Sequence, residues 1–410
     1  MSGRPARGTA QASMAGVGPV PQRALRAHRP SRPSDRAALS PEHLAQLSHR
    51  LTRRDRWLAH LLLEHRVLTT TQITQLGFGV PRTANLRLAK LYQWRVVDRF
   101  QPFAERGSAP MHYVLDLAGA HILAATWGVT AADLGYRHDR ALQITHSLHL
   151  AHTVAATGIY TALVATARHC RPLTVDSGGD SSQRVTAWWS ESRCARYFGT
   201  HVRPDGYGRW REAGSFGSDE VEFFLEYDFG TEALARVARK LTDYYGLAEA
   251  TGLITPVLFW FPTAEREAHA RTELTTALHA LPAAEGHVGA AWVPVATTSS
   301  SLPGALGGEP VSPAGTRWLP VHPFTIGRSP QPSADRVRLA QLTRAWPTRA
   351  RPTIRPVNQP VSTPPVGTAH PGRGRHDRAG RSPALTWPAP AAMPPHPHIL
   401  TADGGTEGAA

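Results

Sequence analysis

Lysine is nearly absent from this 410-residue chain, in which Lys90 and Lys240 are outnumbered by 43 arginines. Because lysine can lose its proton and arginine cannot, each lysine is a candidate for a chemical role. Cysteine is equally scarce. Cys170 and Cys194 are not spaced as a metal-binding pair, which favours two reduced, structural thiols.

Long apolar runs are missing as well. The longest, Val154–Ala167 and Leu253–Phe261, are too short to cross a bilayer. The arginine-rich N-terminus lacks the apolar core of a secretory signal. We therefore expect a cytoplasmic protein with no membrane span.

The formal net charge of +14 is concentrated at the two ends of the chain. Residues 1–50 contain eight arginines and two acidic residues, and residues 328–410 contain eleven arginines and four acidic residues. Both ends are rich in proline, glycine and alanine without periodicity. This composition predicts a disordered basic tail over 1–50 and a Pro/Arg-rich disordered tail over 301–410, with nucleic-acid contact as the alternative.

Residues 51–127 show the pattern of three helices followed by two strands. Thr52 and Asp55 have the spacing of a capping box at the start of the first helix, and Pro81 suits the first position of the third. Leu117–Trp127 continues as a closing helix. The order resembles a winged helix-turn-helix domain. The other predicted elements are helices at Thr69–Leu76 and Arg82–Tyr92 and strands at Val96–Phe100 and Met111–Leu115.

In a winged helix-turn-helix the third helix enters the major groove, where arginine and asparagine read base edges. Leu88 and Leu91 would face inward. Basic residues of the wing would contact phosphate. The alternative is a protein-docking module with a solvated basic face. The predicted DNA contacts are Arg82, Thr83, Asn85, Arg87 and Lys90 on the helix, with Arg99 and Arg106 on the wing.

Residues 128–139 are predicted to be a linker, and 140–300 a second, α/β domain. It opens with a helix predicted over Ala141–Arg168, which has histidines at 146, 149 and 152. No carboxylate or cysteine accompanies them at metal-ligand spacing, so we interpret them as a polar helix face, with a role near phosphate as the alternative. Further elements are strands at Arg184–Glu191, Pro256–Phe261 and Gly289–Ala296 and a helix at Ala264–His279.

The strand predicted over Val221–Asp228 places Glu226 and Asp228 on one face because side chains alternate along a strand. Asp205 follows Pro204 and a short strand-like run, and the Gly-, Ser- and Arg-rich segment 206–218 would turn the chain back. This hairpin would bring Asp205 beside Glu226. Three converging carboxylates predict a site for a hard divalent metal, Mg²⁺ or Mn²⁺, and for phosphate.

The order of elements in 140–300 resembles the PD-(D/E)XK nuclease fold, a restriction-endonuclease-like mixed sheet flanked by helices. By position, Asp205 matches the motif aspartate and Glu226 the strand acid, whereas Asp228 stands where the pattern expects lysine. Lys240, on the next helix, would supply the ammonium group, with Arg236 as the rival cation. The resemblance thus implies a catalytic set of Asp205, Glu226, Asp228 and Lys240, of which the three acids bind metal.

The chain over about residues 51–296 also resembles the replication-relaxation family of plasmids and integrative elements. The motifs are Trp188-x-x-Glu191, Arg203-Pro204-Asp205-Gly206 and the run from Leu225 to Glu232 followed by Lys240-Leu241. Within that family the chain looks like MobC-type relaxases. The resemblance implies metal-dependent nicking of double-stranded DNA at a plasmid origin or transfer origin, with relaxosome or coupling proteins as partners. The alternative is a non-catalytic DNA-binding protein for plasmid replication or its regulation.

Overall fold

The computed structural model describes ten stretches of the chain. They are residues 25–29, 36–104, 107–170, 183–214, 217–252, 254–282, 293–302, 312–321, 335–346 and 387–395.

The N-terminal helices start where local capping signals place them. The capping box of Thr52 and Asp55 is confirmed, and Thr69 forms a second one with Gln72. Pro81 occupies the first turn of its helix, as predicted. These helices are α1 (Pro41–Arg50), α2 (Arg53–His65), α3 (Thr70–Gly77) and α4 (Pro81–Gln93).

The predicted two-stranded ribbon is present but belongs to a four-stranded sheet. Its strands pair antiparallel and gain a neighbour at each edge, giving the order β1-β3-β4-β2. The strands are β1 (Leu25–Arg29), β2 (Leu68–Thr69), β3 (Val97–Ala104) and β4 (His112–Leu115).

The prediction of a disordered tail over 1–50 is wrong for its described residues. β1 pairs through its backbone with β3, and α1 is a regular helix with Ser40 as its N-cap. Leu47 is fully buried in the core, so the helix is anchored by apolar contact as well as by its cap. Composition alone does not show that α1 is ordered, because burial of a single leucine can hold a short helix in place.

The middle of the chain contains four helices and one long strand. The helix predicted over 141–168 is divided: a 3₁₀ turn, Gln143–His146, ends in extended backbone at Ser147 before the long helix begins. The elements are α5 (Leu117–Thr126), α6 (His138–Leu142), α7 (Leu150–His169), β5 (Gln183–Ser190) and α8 (Glu191–Phe198).

α7 has 20 residues and is long and apolar enough to cross a membrane by length and composition. It is longer than the apolar run Val154–Ala167 noted in the sequence. However, 61% of its apolar window is buried inside the protein. Its residues Tyr160 and Leu163 belong to the main core cluster. Burial of this kind is typical of a core helix, so α7 gives no evidence of a membrane span.

The remaining elements complete a mixed six-stranded sheet of order β10-β9-β8-β7-β6-β5. Strands β7, β8 and β9 are parallel, and the other pairs are antiparallel. The strand predicted over 289–296 is found at Val295–Ser301, and residues 289–292 fall outside the described ranges. The elements are β6 (Gly206–Gly214), β7 (Gly217–Tyr227), α9 (Leu234–Thr251), β8 (Val257–Thr263), α10 (Ala264–Ala280), β9 (Val295–Ser301) and β10 (Leu319–Val321).

Each face of this sheet packs against different helices. On one face Phe224 and Phe259 pack with α9 and α10. On the other, Phe223 and Leu225 join a cluster that includes α7 and the N-terminal helices. This alternation along β7 confirms the predicted strand and buries it from both sides.

Segment 206–218 is mostly strand, not the predicted turn. β6 and β7 pair from Gly206 opposite Leu225 to Gly214 opposite Gly217, so the turn lies at the far end of the hairpin. Glycine is needed inside β6 because a Cβ on Gly208 would lie 2.6 Å from the Phe223 ring. Asp205 consequently precedes β6, whereas the sequence predicted it at the end of an earlier strand.

Part of the predicted C-terminal tail is also ordered. β10 extends the sheet, a 3₁₀ helix spans Ala340–Arg344, and Trp318 and Leu342 are buried in the main core. Arg336 forms a salt bridge with the buried Glu267 on α10 at 2.8 Å. The arginines here therefore include structural ones as well as solvated ones.

Candidate active site

The β6–β7 pairing brings Asp205 next to Glu226, as predicted. The Asp205 amide donates to the Leu225 carbonyl at 3.0 Å, and its carboxylate Oδ2 accepts the Tyr227 amide at 2.7 Å. These two bonds flank Glu226 along β7. The Asp205 charge contributes to raising the pKa of Glu226, so the two carboxylates interact electrostatically.

Glu226 is a buried acid held by two donors from α9. Its Oε2 accepts from Lys240 Nζ at 2.6 Å and its Oε1 from the Tyr244 hydroxyl at 2.5 Å. Burial raises the pKa of Glu226 to about 7, although the Lys240 charge opposes that shift. Glu226 can therefore gain or lose a proton near neutral pH.

Helical geometry explains why Lys240 and Tyr244 reach the same carboxylate. Residues four apart lie on one helix face. Burial by itself would lower the pKa of Lys240, but the charges of Glu226 and Asp205 raise it, so its ammonium stays protonated. The rival cation Arg236 points elsewhere: its side chain is 71% exposed and lies 3.9 Å from Glu232.

Asp228 has a different environment from the one expected of a metal ligand. Both its oxygens accept from the Arg266 guanidinium on α10, and its Oδ1 also accepts the Gly230 amide at 3.1 Å. Arg266 in turn donates to the Glu232 carbonyl at 2.6 Å. Asp228 thus fixes the turn between β7 and α9.

His152 on α7 is a member of the site that the sequence did not single out. Its Nε2 lies 2.8 Å from Asp205 Oδ1. Burial would lower the pKa of His152, but the hydrogen bond and charge of Asp205, together with Glu191, raise it. The three-residue spacing of the histidines was the signal available, and it did not distinguish His152 from His146 and His149.

An open pocket of about 70 Å³ adjoins this cluster. Asp205 forms part of its wall, together with Glu191 at the start of α8. Small hydroxyl side chains supply much of the remaining lining, namely Thr153, Thr157, Ser190 and Ser192. The carboxylates of Asp205 and Glu191 in this wall suit a cation.

The carboxylates are already satisfied by protein donors. Two protein groups bind Asp205 and two bind Glu226. Within the described residues, a group of three possible metal ligands lies away from this site, at Asp98, Asp116 and His138. Their ligand atoms lie within 4.8 Å of one another. Arg36 forms salt bridges with both of those aspartates, so a guanidinium already occupies that set.

Most of the predicted DNA contacts on α4 are exposed. Leu88 and Leu91 are fully buried beneath them, which confirms the predicted inward face. The exposed side chains are Arg82, Thr83, Asn85 and Lys90.

Three other predicted DNA contacts differ from these. Arg87 forms a salt bridge with the buried Asp55, and Arg99 lies over the Tyr92 ring at 4.2 Å. Both arginines are thus engaged within the fold. Arg106 lies outside the described residues.

Residues 58–259 match the family model described as replication-relaxation. The matched region runs from within α2 to the first three residues of β8 and includes Asp205, Glu226 and Lys240. This match confirms the resemblance to the replication-relaxation family seen in the sequence. No curated protein matches the chain.

Proposed function

We propose that this replication-relaxation family member is a relaxase-like, metal-dependent DNA-nicking enzyme that acts in plasmid mobilisation or replication. In this proposal residues 51–127 are a winged helix-turn-helix that binds double-stranded DNA. The six-stranded sheet is a PD-(D/E)XK nuclease core. The family match supports the plasmid role, and the side-chain arrangement at the sheet supports the chemistry.

One observation carries the proposal. Asp205 and Glu226, 21 residues apart in the sequence, meet at the end of the β6–β7 hairpin with Lys240 bound to Glu226. Two acids can hold a divalent metal, and a lysine can stabilise charge on the phosphate, so the set suits metal-dependent phosphodiester cleavage. Asp205 also lines the adjoining pocket, so this carboxylate is reachable from solvent.

Mg²⁺ or Mn²⁺ would be held by Asp205 and Glu226, whose oxygens are the hard ligands these ions prefer. The metal would supply an acidified water and neutralise charge on the scissile phosphate. Glu226 must be charged to bind it, and its pKa, raised to about 7 by burial, confines the charged form to neutral pH and above. Asp228, bound to Arg266, positions the strand end and is not a ligand in this proposal.

Lys240 and His152 would then act on the substrate. The Lys240 ammonium, 2.6 Å from Glu226 Oε2, would stabilise the negative charge on a phosphate bound beside that carboxylate. His152 orients Asp205 through Nε2 and, being protonated more readily than a free histidine, can donate a proton to the leaving oxygen. Both roles use groups already within hydrogen-bond distance of the two acids.

The test is a nicking assay on supercoiled plasmid bearing the element's own transfer origin, with Mg²⁺ or Mn²⁺. We expect the full chain to nick this DNA and Asp205→Asn to reduce the rate at least about 100-fold, because one of two metal ligands is lost. Asp219→Asn is the matched control. It makes the same change on β7, where the carboxylate pairs with Arg344 away from the site, and should leave the rate unchanged.

A second function is favoured by the protein donors that contact each oxygen of Asp205 and Glu226. A site satisfied by His152, Lys240 and Tyr244 is stable without metal and suits a non-catalytic DNA-binding protein for plasmid replication or its regulation. Tight, origin-specific binding with no nicking under either metal would establish this function. It would also refute the nuclease.

A further inference from the structure

The C-terminal segment 387–395 has the sequence Trp-Pro-Ala-Pro-Ala-Ala-Met-Pro-Pro. It packs against α2, α7 and α8, which are far from it in the sequence. Its backbone accepts hydrogen bonds from buried or half-buried side chains. Trp57 Nε1 donates to the Ala391 carbonyl at 2.6 Å, and the Tyr160 hydroxyl donates to the Ala392 carbonyl at 2.8 Å. Ala392 belongs to the main hydrophobic cluster.

The beginning of this segment is held by Arg193 on α8. Arg193 donates to the Trp387 carbonyl at 2.9 Å and to the Pro388 carbonyl at 3.2 Å. It is itself fixed by a buried salt bridge to Glu64 on α2, at 2.7 Å. Arg193 hydrogen bonds therefore lower the pKa of Glu64 to about 2 against the opposing effect of burial.

Aromatic contact completes the binding. Trp387 stacks on Trp127 with ring centroids 5.1 Å apart, and His60 packs edge-on against the same Trp127 ring at 4.9 Å. The His60 ring nitrogen also lies 3.0 Å from the Pro388 carbonyl. The segment thus packs Trp387 against Trp127 and directs its backbone carbonyls at the surrounding side-chain donors.

These contacts have the chemistry of proline-rich peptide recognition. Prolines lack an N–H, so such a segment offers carbonyl acceptors and apolar rings, and aromatic grooves with tryptophan, tyrosine and arginine donors bind it. Every hydrogen bond named above runs from a groove side chain to a segment carbonyl. The groove is formed by Trp57, Tyr160, Arg193, His60 and Trp127.

We propose that this groove is a peptide-binding site for the chain's own Trp387–Met393 segment and that the bound segment clamps the N-terminal helices to the nuclease-like sheet. The groove draws on α2 and the end of α5 from one predicted domain and on α7 and α8 from the other. Closing it therefore joins both parts. The clamp does not depend on whether the site beside it cleaves DNA.

Residues 347–386 lie between Trp346 and Trp387, outside the described ranges, and they allow a direct test. A protease recognition sequence replaces residues 361–367 in the full chain, and the cut protein is passed through a gel-filtration column. We expect the C-terminal piece to elute with the body. In the same chain with Trp387→Ala we expect it to elute separately.

A second measurement uses a fluorescent peptide of residues 385–396 added to uncut full-length protein. It should bind the Trp387→Ala chain, whose groove is vacated, and bind wild type at least about tenfold more weakly because the groove is filled. The same peptide with alanine in place of its tryptophan is the control and should bind neither protein. Separation of the piece from the cut wild-type body would overturn the clamp, as would equal binding of both peptides.

Discussion

The pair formed by Lys240 and Glu226 makes a quantitative prediction about stability. Lys240→Met removes the cation bound to a buried carboxylate while keeping an unbranched side chain of similar length. Removing one partner of a buried ion pair costs about 3–5 kcal/mol. The Lys240 side chain is 36% exposed, so water screens part of the interaction and we expect a smaller loss, about 2 kcal/mol at pH 8.5.

The loss should depend on pH because Glu226 can accept a proton. Burial raises its pKa from 4.5 to about 7, so between these values the folded state holds more protons than the unfolded state. Stability from this group therefore falls as pH rises through that window. Lys240→Met raises the folded pKa further and extends the fall to higher pH. At pH 5.5 Glu226 is mostly protonated in both folded proteins, and the variant should be nearly as stable as wild type.

Urea unfolding at pH 5.5 and pH 8.5, followed by circular dichroism, measures this difference. Arg236→Met is the matched control on the same helix, because Arg236 is 71% exposed and its pairing with Glu232 is loose. That control should change stability by less than about 0.5 kcal/mol at either pH. An equal loss for Lys240→Met at both pH values would refute the reasoning, since it would show lost packing instead of an uncompensated charge.

Two further predictions concern ligands. Mn²⁺ binding to the full chain, measured by calorimetry, should strengthen as pH rises through about 7 because Glu226 must release its proton. Glu226→Gln should abolish that pH dependence. Binding of Mn²⁺ to the wild-type chain that does not change with pH would exclude Glu226 as a ligand. Arg82→Ala and Lys90→Ala should each weaken binding to origin DNA by about 1–3 kcal/mol, as measured by fluorescence anisotropy, because each removes a side chain that would contact a base edge. Arg140→Ala, an exposed change outside α4, should leave the affinity unchanged, and an equal effect there would place DNA away from α4.

Several features of the site could be predicted from local pattern. Alternation along Val221–Asp228 identified a strand, and the distance between Asp205 and that strand suited a hairpin. Scarcity of lysine directed attention to Lys240, which does contact Glu226. These inferences held because strand alternation and hairpin return depend on neighbours within about 25 residues.

Other features could not be predicted because their partners are distant. The proximity of Asp205 to His152 spans 53 positions, and Asp228 meets Arg266 across an intervening helix and strand. The C-terminal segment looks disordered by composition, yet it packs against residues more than 190 positions away. Nothing in the local sequence shows which charge or aromatic group will lie opposite.

The sequence by itself determined where the helices at Thr52, Thr69 and Pro81 begin and which residues of β7 share a face, because caps and side-chain alternation act over a few residues. Only the tertiary structure decided that Glu226 is buried against Lys240, that Arg266 takes Asp228 away from the acid pair, and that the chain's end returns to the core. The physical reason is that pKa, pairing and burial are set by whatever packs against a side chain, and here those neighbours come from elements far apart along the chain.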